Sequence, residues 1–296
     1  MQVGGMPDTV QPTEDSRAHW RWAEDGQVRV GSDAHKRLFC RMLLDTHDPY
    51  KPAIIEWPAL DDDALARLTG LPFWNVAVQT EGHAAARIER MAAQQTDPLI
   101  REAIALMAFE EQRHKDVLEA MISHYGIALE DEPPYEPPPN TEWYFMRTGY
   151  GECFDSFFAF GLFDLAKSSG FFPPELVETF EPVIQEEARH IVFFVNWAAY
   201  TQVNKPIWAR PAFRFRRLHT LAASARARLD LARGRGDTNF MTEGRGAIDV
   251  DLTPRSFLDL CMSENDRRMA RLDPRLLRPA IMPTLVRCAR PFVKRR

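Results

Sequence analysis

The sequence predicts an all-α protein built on a four-helix bundle with a crossover between its two helical hairpins. Four long segments repeat apolar residues at the three- and four-residue spacing of a helix face, and no segment shows the alternation of a β-strand. Residues 129–140, which contain five prolines, separate the second of these segments from the third. A long non-helical connection of this kind can join two hairpins of a bundle.

The composition is that of an ordinary globular protein, with 45% hydrophobic and 27% charged residues and a formal net charge of −5. This mild charge argues neither for nor against an acidic partner. The four cysteines have no short spacing that would suggest a disulfide framework or a zinc site. The first residues are polar and acidic, unlike a signal peptide, and no stretch approaches the roughly 18 apolar residues of a membrane span. We therefore expect a cytoplasmic protein without a membrane span.

Three parts are expected along the chain. Residues 1–72 should form an amino-terminal arm with short helices, one of them over His35 to Leu44. Residues 73–204 should form the four-helix bundle. Residues 205–296 should form a basic helical extension that packs on the bundle.

The first hairpin of the bundle is predicted from a helix over about residues 73–95 and a second helix that starts at Asp97 and Pro98. The apolar stripe of the first helix has one charged member, Glu81. An acidic residue centred in an apolar stripe is costly unless it is paired or bound to a metal. Glu81 is therefore a candidate ligand.

The second hairpin should follow the proline-rich connection. Asn140 can cap a third helix, which is predicted to run to about Ser168. Glu152 and Asp155 both lie near its inner face. A fourth helix of about 30 residues should follow, and Pro182 should kink it.

A similar pentapeptide occurs twice, once in each predicted hairpin. Residues 110–114 read EEQRH, and residues 186–190 read EEARH. In each copy the second glutamate and the histidine are three residues apart, so they lie on the same face of a helix. These residues are Glu111 with His114 and Glu187 with His190. By the same periodicity, Glu110 and Arg113 should point away from that face and make at most supporting contacts.

The position of Glu81 along its helix matches that of Glu111. Glu81 lies 16 residues before Asp97, and Glu111 lies 14 residues after it. At a rise of about 1.5 Å per residue, the two carboxylates are nearly level across the turn.

The same construction for the second hairpin leaves two candidates. Because its turn is longer, the partner of Glu187 should lie near position 154, which is a phenylalanine. Glu152 and Asp155 flank that position. Glu152 is favoured because its longer side chain can more easily bridge two ions, and Asp155 remains the alternative.

This pattern, Glu, Glu-x-x-His, Glu, Glu-x-x-His on four helices, resembles the ferritin-like diiron carboxylate proteins over about residues 73–200. The resemblance implies a ferritin-like bundle with two iron ions, or manganese or a mixed pair in their place. The implied ligands are Glu81, Glu111, His114, Glu152, Glu187 and His190. Glu81 and His114 would mainly hold one iron. Glu152 and His190 would hold the other, while the two remaining glutamates would bridge or chelate.

The alternative interpretation is a helical bundle whose acids and histidines form buried ion pairs. Six ionisable groups in one core are hard to neutralise in that way without a metal. The metal centre is therefore the preferred hypothesis.

The function implied by the resemblance is that of an O₂-dependent diiron oxygenase or oxidase, acting on a small and partly apolar organic substrate with an electron donor. Carboxylate-rich sites suit iron in O₂ chemistry. The chain is longer than a minimal bundle, and the phenylalanines of the third helix are either core or the lining of an access channel. The alternative is an iron-handling ferroxidase, a peroxide scavenger or a non-catalytic binding protein of the same fold.

Residues 205–235 are rich in Lys and Arg and contain one Asp. A solvated helix is the simplest interpretation. A homodimer surface or a surface for a phosphate-bearing substrate is the next. A nucleic-acid groove is disfavoured by the acidic total charge and by the absence of a nucleic-acid-binding motif.

Overall fold

The computed structural model describes residues 19–232 and 253–293. As predicted, all regular secondary structure in these residues is helical, without a strand. The helices are α1 (Asp33–Asp45), α2 (Asp62–Thr69), α3 (Trp74–Ala93), α4 (Pro98–His124), α5 (Thr141–Ser169), α6 (Pro174–Glu178), α7 (Glu181–Asn204), α8 (Arg210–Ala232), α9 (Pro254–Ala270) and α10 (Ile281–Ala289). Within these ranges no helix has both the length and the apolarity that a membrane crossing requires.

Three helices begin where the sequence places a capping side chain. The carboxylate of Asp61 accepts a hydrogen bond from the backbone N–H of residue 64 at the start of α2. Asp97 does the same for two N–H groups of α4, and Asn140 for one of α5. These bonds satisfy N–H groups that have no partner within the helix, so the starts of these helices follow from local chemistry.

The predicted kink at Pro182 is wrong. Instead of one helix of about 30 residues, the chain forms the short helix α6 and the long helix α7, with a break at Thr179 and Phe180. Pro182 lies in the first turn of α7. Proline is well tolerated there because its missing N–H would have no partner in the helix.

Four long helices enclose the central core. Helix α3 lies along α4, α4 contacts α7, α7 contacts α5, and α5 contacts α3. Buried residues of all four contribute to one hydrophobic cluster, which includes Ile88, Ile104, Phe145 and Phe194. Each helix thus turns one face towards the same interior.

Helix α1 packs against α4 and α7, although the sequence assigns it to the amino-terminal arm. Leu38, Phe39, Met42 and Leu43 are completely buried and belong to the central cluster. One side of the helix pair α4 and α7 is therefore covered by α1. This position becomes important for the candidate site.

The basic helix α8 is attached to α5 by ion pairs. Arg216 of α8 lies 3.1 Å from one carboxylate oxygen of Glu142, and Lys205, directly after α7, lies 2.9 Å from the other. Farther along, Arg228 pairs with Asp155. Part of the predicted basic stretch therefore neutralises acids on the bundle, while residues 233–235 lie outside the described residues.

Candidate metal centre

Four of the predicted ligands come together between α3, α4 and α7. One ligand-type atom from each of Glu81, Glu111, His114 and Glu187 lies within 4.8 Å of the others. Glu111 and His114 are buried, whereas the side chains of Glu81 and Glu187 keep 25% and 15% of their exposure. The cluster is therefore closed on its His114 face and accessible beside the other two carboxylates.

The two ring nitrogens of His114 have different surroundings. Nε2 lies 2.9 Å from Oε2 of Glu186, at hydrogen-bonding distance. Nδ1 lies 3.2 Å from Glu187 and 3.6 Å from Glu81, yet it makes no hydrogen bond within the described structure. Burial lowers the pKa of His114, but Glu186, Glu187 and Glu81 outweigh it and raise the pKa well above its ordinary value. In the neutral ring that a metal ion requires, with the proton on Nε2, the lone pair of Nδ1 would point towards two carboxylates.

His190 repeats this arrangement on the other side. Its Nε2 lies 2.8 Å from Oε2 of Glu110, and its Nδ1 lies 2.9 Å from Oε1 of Glu111. Both Nδ1 and that oxygen of Glu111 are buried and make no hydrogen bond among the described residues. The centroids of the His114 and His190 rings are 5.6 Å apart. Two similar half-sites therefore lie side by side.

The two candidates on the third long helix, α5, have different surroundings. Both carboxylate oxygens of Glu152 are buried without a hydrogen-bond partner in the described residues. Burial, together with the negative charges of Glu111 and Glu187, raises the pKa of Glu152 well above its ordinary value. Asp155 instead pairs with Arg228, and its side chain is 38% exposed. Glu152 is therefore the residue whose surroundings suit a ligand.

The raised pKa values of Glu81 and His190 result in part from the many carboxylates in the site. Burial, reinforced by Glu111 and Glu187, raises the pKa of Glu81 to about 8. Burial lowers the pKa of His190, but Glu110 and Glu111 outweigh it and raise the value to about 10. The carboxylates therefore repel one another, and the core stabilises positive charge at the histidine.

The donor set fits a pair of metal ions. Among the predicted ligands, five buried atoms lack a hydrogen-bond partner in the described structure: Nδ1 of His114, Nδ1 of His190, Oε1 of Glu111 and both carboxylate oxygens of Glu152. An unsatisfied buried polar atom costs about 1–3 kcal/mol, and more if it is charged. Glutamate oxygens and imidazole nitrogens on facing helices are the usual ligands of dinuclear iron or manganese in helical bundles.

Glu110 makes the kind of supporting contact that its position off the ligand face allows, and this contact is central to the site. It is completely buried, and Oε1 accepts a hydrogen bond of 2.7 Å from Nη2 of Arg189. Burial alone would raise the pKa of Glu110, but Arg189 and His190 hold it well below its ordinary value. Glu110 is thus a buried carboxylate that fixes the ring of His190.

Glu186 has the matching role at the other half-site. It accepts hydrogen bonds from Arg113 and lies against Nε2 of His114. Arg113, which the sequence places off the ligand face, makes this supporting contact while only 3% exposed. In both halves the arginine and histidine of one pentapeptide bind the first glutamate of the other. The sequence signal was available, because the repeat includes the first glutamate and the arginine as well as Glu-x-x-His.

The segment after α1 completes these contacts. Nδ1 of His47 lies 2.7 Å from Oε1 of Glu110, and the hydroxyl of Tyr50 donates a hydrogen bond of 3.3 Å to Glu186. The guanidinium of Arg113 lies 3.9 Å from the centroid of the Tyr50 ring. No local pattern in residues 45–58 predicts this role, because the contacts depend on segments that are distant in the sequence.

No family model, curated protein or solved structure matches the chain in comparisons of its sequence and fold. The assignment of the site therefore depends on the chemistry of its residues. Two histidines with fixed Nε2 atoms each turn towards carboxylates an Nδ1 atom that has no hydrogen-bond partner in the described residues. This arrangement identifies a candidate centre for metal ions.

Proposed function

We propose that α3, α4, α5 and α7 form a ferritin-like four-helix bundle with a crossover, and that this bundle holds two metal ions, by preference iron. The observation that supports the proposal is the matched state of the two histidines. Each has Nε2 at hydrogen-bonding distance from a buried glutamate and Nδ1 unpartnered among carboxylates. A cation at each Nδ1 would satisfy both the lone pair and the neighbouring negative charge.

The proposed ligands fall into two groups around the ions. Glu81 and His114 would serve one ion, and Glu152 and His190 the other. The two remaining glutamates, Glu111 and Glu187, would bridge or chelate the ions.

The first glutamates of the two pentapeptides position the histidines. A hydrogen bond from Nε2 to a carboxylate fixes the tautomer and the ring orientation, and it makes the other nitrogen a better donor to a metal. Glu110 does this for His190, and Glu186 does it for His114. Arg189 donates a hydrogen bond to Glu110, and Arg113 donates one to Glu186, so each of these glutamates is held in place by an arginine of the other pentapeptide.

The reaction we propose is the O₂-dependent oxidation of a small, partly apolar organic substrate with electrons from a separate donor. A bound iron pair supplies the reduction of O₂, which amino-acid side chains cannot perform. Glu81 and Glu187 retain exposure while His190 is completely buried. This difference favours access for small molecules on the Glu81 side and the exclusion of water behind the histidines.

Metal analysis tests the first part of the proposal. Protein purified from iron-supplemented cells should contain about two metal ions per chain. Glu111→Ala and His190→Ala should each lose most of this metal, whereas Glu102→Ala, on an exposed position of the same helix α4, should retain it. A wild-type content far below two, or unchanged content in both site variants, would contradict the proposal.

Oxygen consumption tests the second part. An oxygenase should consume O₂ only with a reductant and a suitable organic substrate. A ferroxidase, the alternative with the same ligands, should oxidise added ferrous iron without an organic substrate and accumulate ferric product. A loaded protein that does neither would point to a non-catalytic binding protein.

A further inference from the structure

Three arginines line one face of α5 next to the candidate metal centre. The guanidinium of Arg87, on α3, lies 5.6 Å from the centroid of the Tyr144 ring. Arg147 follows Tyr144 by three residues and therefore lies on the same face of α5. Arg228, on α8, lies over Gly151, one further turn along. A β-carbon added at Gly151 would lie 2.7 Å from Nη2 of Arg228. The three guanidiniums thus span about two helical turns.

Arg147 differs from these two arginines because its side chain has no partner among the described residues. Arg87 donates a hydrogen bond to the hydroxyl of Tyr135, and Arg228 pairs with Asp155. No hydrogen bond, ion pair or ring contact of the Arg147 side chain occurs within the described residues, although the residue is half-buried. Burial, together with the charges of Arg228 and Arg87, lowers the pKa of Arg147. The positive charge on this face therefore exceeds what Asp155 neutralises.

The cluster borders the proposed metal ligands. Gly151, beneath the guanidinium of Arg228, directly precedes Glu152, whose oxygens are buried and unpartnered. The hydroxyl of Thr148, one turn before Glu152, is also buried without a hydrogen-bond partner in the described structure. Buried polar atoms without a hydrogen-bond partner in the described residues therefore lie on α5 within about one and a half turns of Arg147.

We propose that Arg147, with Arg87 and Arg228 beside it, binds the anionic group of the substrate, a carboxylate or a phosphate, at the edge of the metal centre. Guanidinium groups bind both anions through paired hydrogen bonds. A ligand held there would extend past Thr148 towards Glu152. The assignment of this anion to a substrate rests on the proposed function, whereas the binding of an anion does not.

Calorimetric titration of the protein as purified tests the site. The probes are benzoate, hexanoate, phenyl phosphate and hexyl phosphate, with the uncharged benzamide and hexanamide as matched compounds. At least one anion should bind with one-to-one stoichiometry at concentrations up to about 20 mM. The uncharged amide with the corresponding aromatic or aliphatic group should bind at least tenfold more weakly. Comparison of the carboxylates with the phosphates identifies the preferred group.

Variants assign the binding to Arg147. Arg147→Gln should weaken binding of that anion by about ten- to a hundredfold, and Arg147→Lys should restore part of it. Arg214→Gln is the matched control, since Arg214 is exposed on α8 and also has no partner in the described residues. Failure of all four anions to bind, equal binding to the Gln variant, or equal binding of the amides would overturn the inference.

A spectral measurement connects the site to the metal centre. Addition of the bound anion should shift the absorption of the iron-loaded protein in wild type and not in Arg147→Gln. Binding without any shift would overturn the assignment of the anion to the substrate. The titration is repeated after chelation. Anion binding that persists without metal supports the anion site independently of the proposed function, which a purified chain that takes up no metal would contradict.

Discussion

Nε2 of His190 lies 2.8 Å from Oε2 of Glu110, although the two residues belong to different copies of the pentapeptide and to different helices. The corresponding distance between His114 and Glu186 is 2.9 Å. Each copy therefore supplies the carboxylate that orients the histidine of the other. This exchange gives a physical reason for the repetition of the whole pentapeptide rather than of Glu-x-x-His alone.

Replacement of Glu110 by alanine should strongly destabilise the fold. The change leaves Arg189 and His190 buried without their acceptor, and loss of one partner from a buried charged pair costs about 3–5 kcal/mol. We expect a decrease of this size in the free energy of unfolding, measured by urea titration. Glu102→Ala, on an exposed position of α4, should change it by less than about 0.5 kcal/mol. A loss below about 1 kcal/mol for Glu110→Ala would show that the network contributes little.

Removal of metal should lower the thermal stability of the wild-type protein. An ion that binds only the folded chain stabilises it by about 2.7 kcal/mol at a hundredfold excess over Kd. For a chain of this size, chelation should then lower the Tm by about 5–10 °C. Glu152→Ala, which removes two unpartnered ligand oxygens, should show a much smaller chelator effect. Equal chelator effects in wild type and this variant would exclude Glu152 as an important ligand.

Much of the site could be predicted because helical periodicity fixes which residues share a face. Glu111 and His114 are three apart in a stripe of apolar residues, and both are buried in the structure. Glu81 was identifiable for the same reason, as an acid in an otherwise apolar stripe. These features depend on positions within one helix or across one short turn, so the sequence alone determines them.

Other contacts could not be predicted because they depend on packing between distant segments. Periodicity places Glu110 off the inner stripe, but α1 covers that side of α4 and α7 and buries it. The carbonyl of Leu43, in α1, accepts a hydrogen bond from Arg189 across 146 residues of sequence. The choice between Glu152 and Asp155 likewise depended on Arg228, which α8 brings to Asp155.

Gly161 should be intolerant of alanine because α5 and α9 approach each other closely there. A β-carbon at this position would lie 2.4 Å from Sγ and 3.1 Å from Cα of Cys261. The backbone of α9 would have to move, and such overpacking costs about 1–3 kcal/mol. This loss should exceed the gain of roughly 1 kcal/mol in helix propensity, so urea titration should show net destabilisation.

Gly82→Ala is the matched control for this prediction. It brings the same gain in helix propensity, but the nearest atoms belong to the flexible end of the Lys115 side chain. We expect an unchanged or slightly higher free energy of unfolding. Equal effects of the two substitutions would show that the contact between α5 and α9 at Cys261 does not limit the packing.

Asp273 should make the stability of the protein depend on acid pH. It accepts hydrogen bonds from Arg275 and from the backbone N–H of Trp22, and so it fixes the amino-terminal segment to the region after α9. Burial alone would raise its pKa, but the hydrogen bonds from Arg275 and Trp22 outweigh burial and lower the pKa to about 2.

A pKa that is lower in the folded state than in the unfolded chain stabilises the fold at pH values above the unfolded pKa of about 4. This contribution should be lost as the pH falls from about 4 towards 2, when the folded carboxylate takes up a proton. Asp273→Asn should therefore cost about 2 kcal/mol at neutral pH, and the difference from wild type should shrink below about pH 4. Urea titrations at a series of pH values measure this difference. A difference that stays constant down to the acid unfolding of the protein would show that Asp273 is not the titrating group.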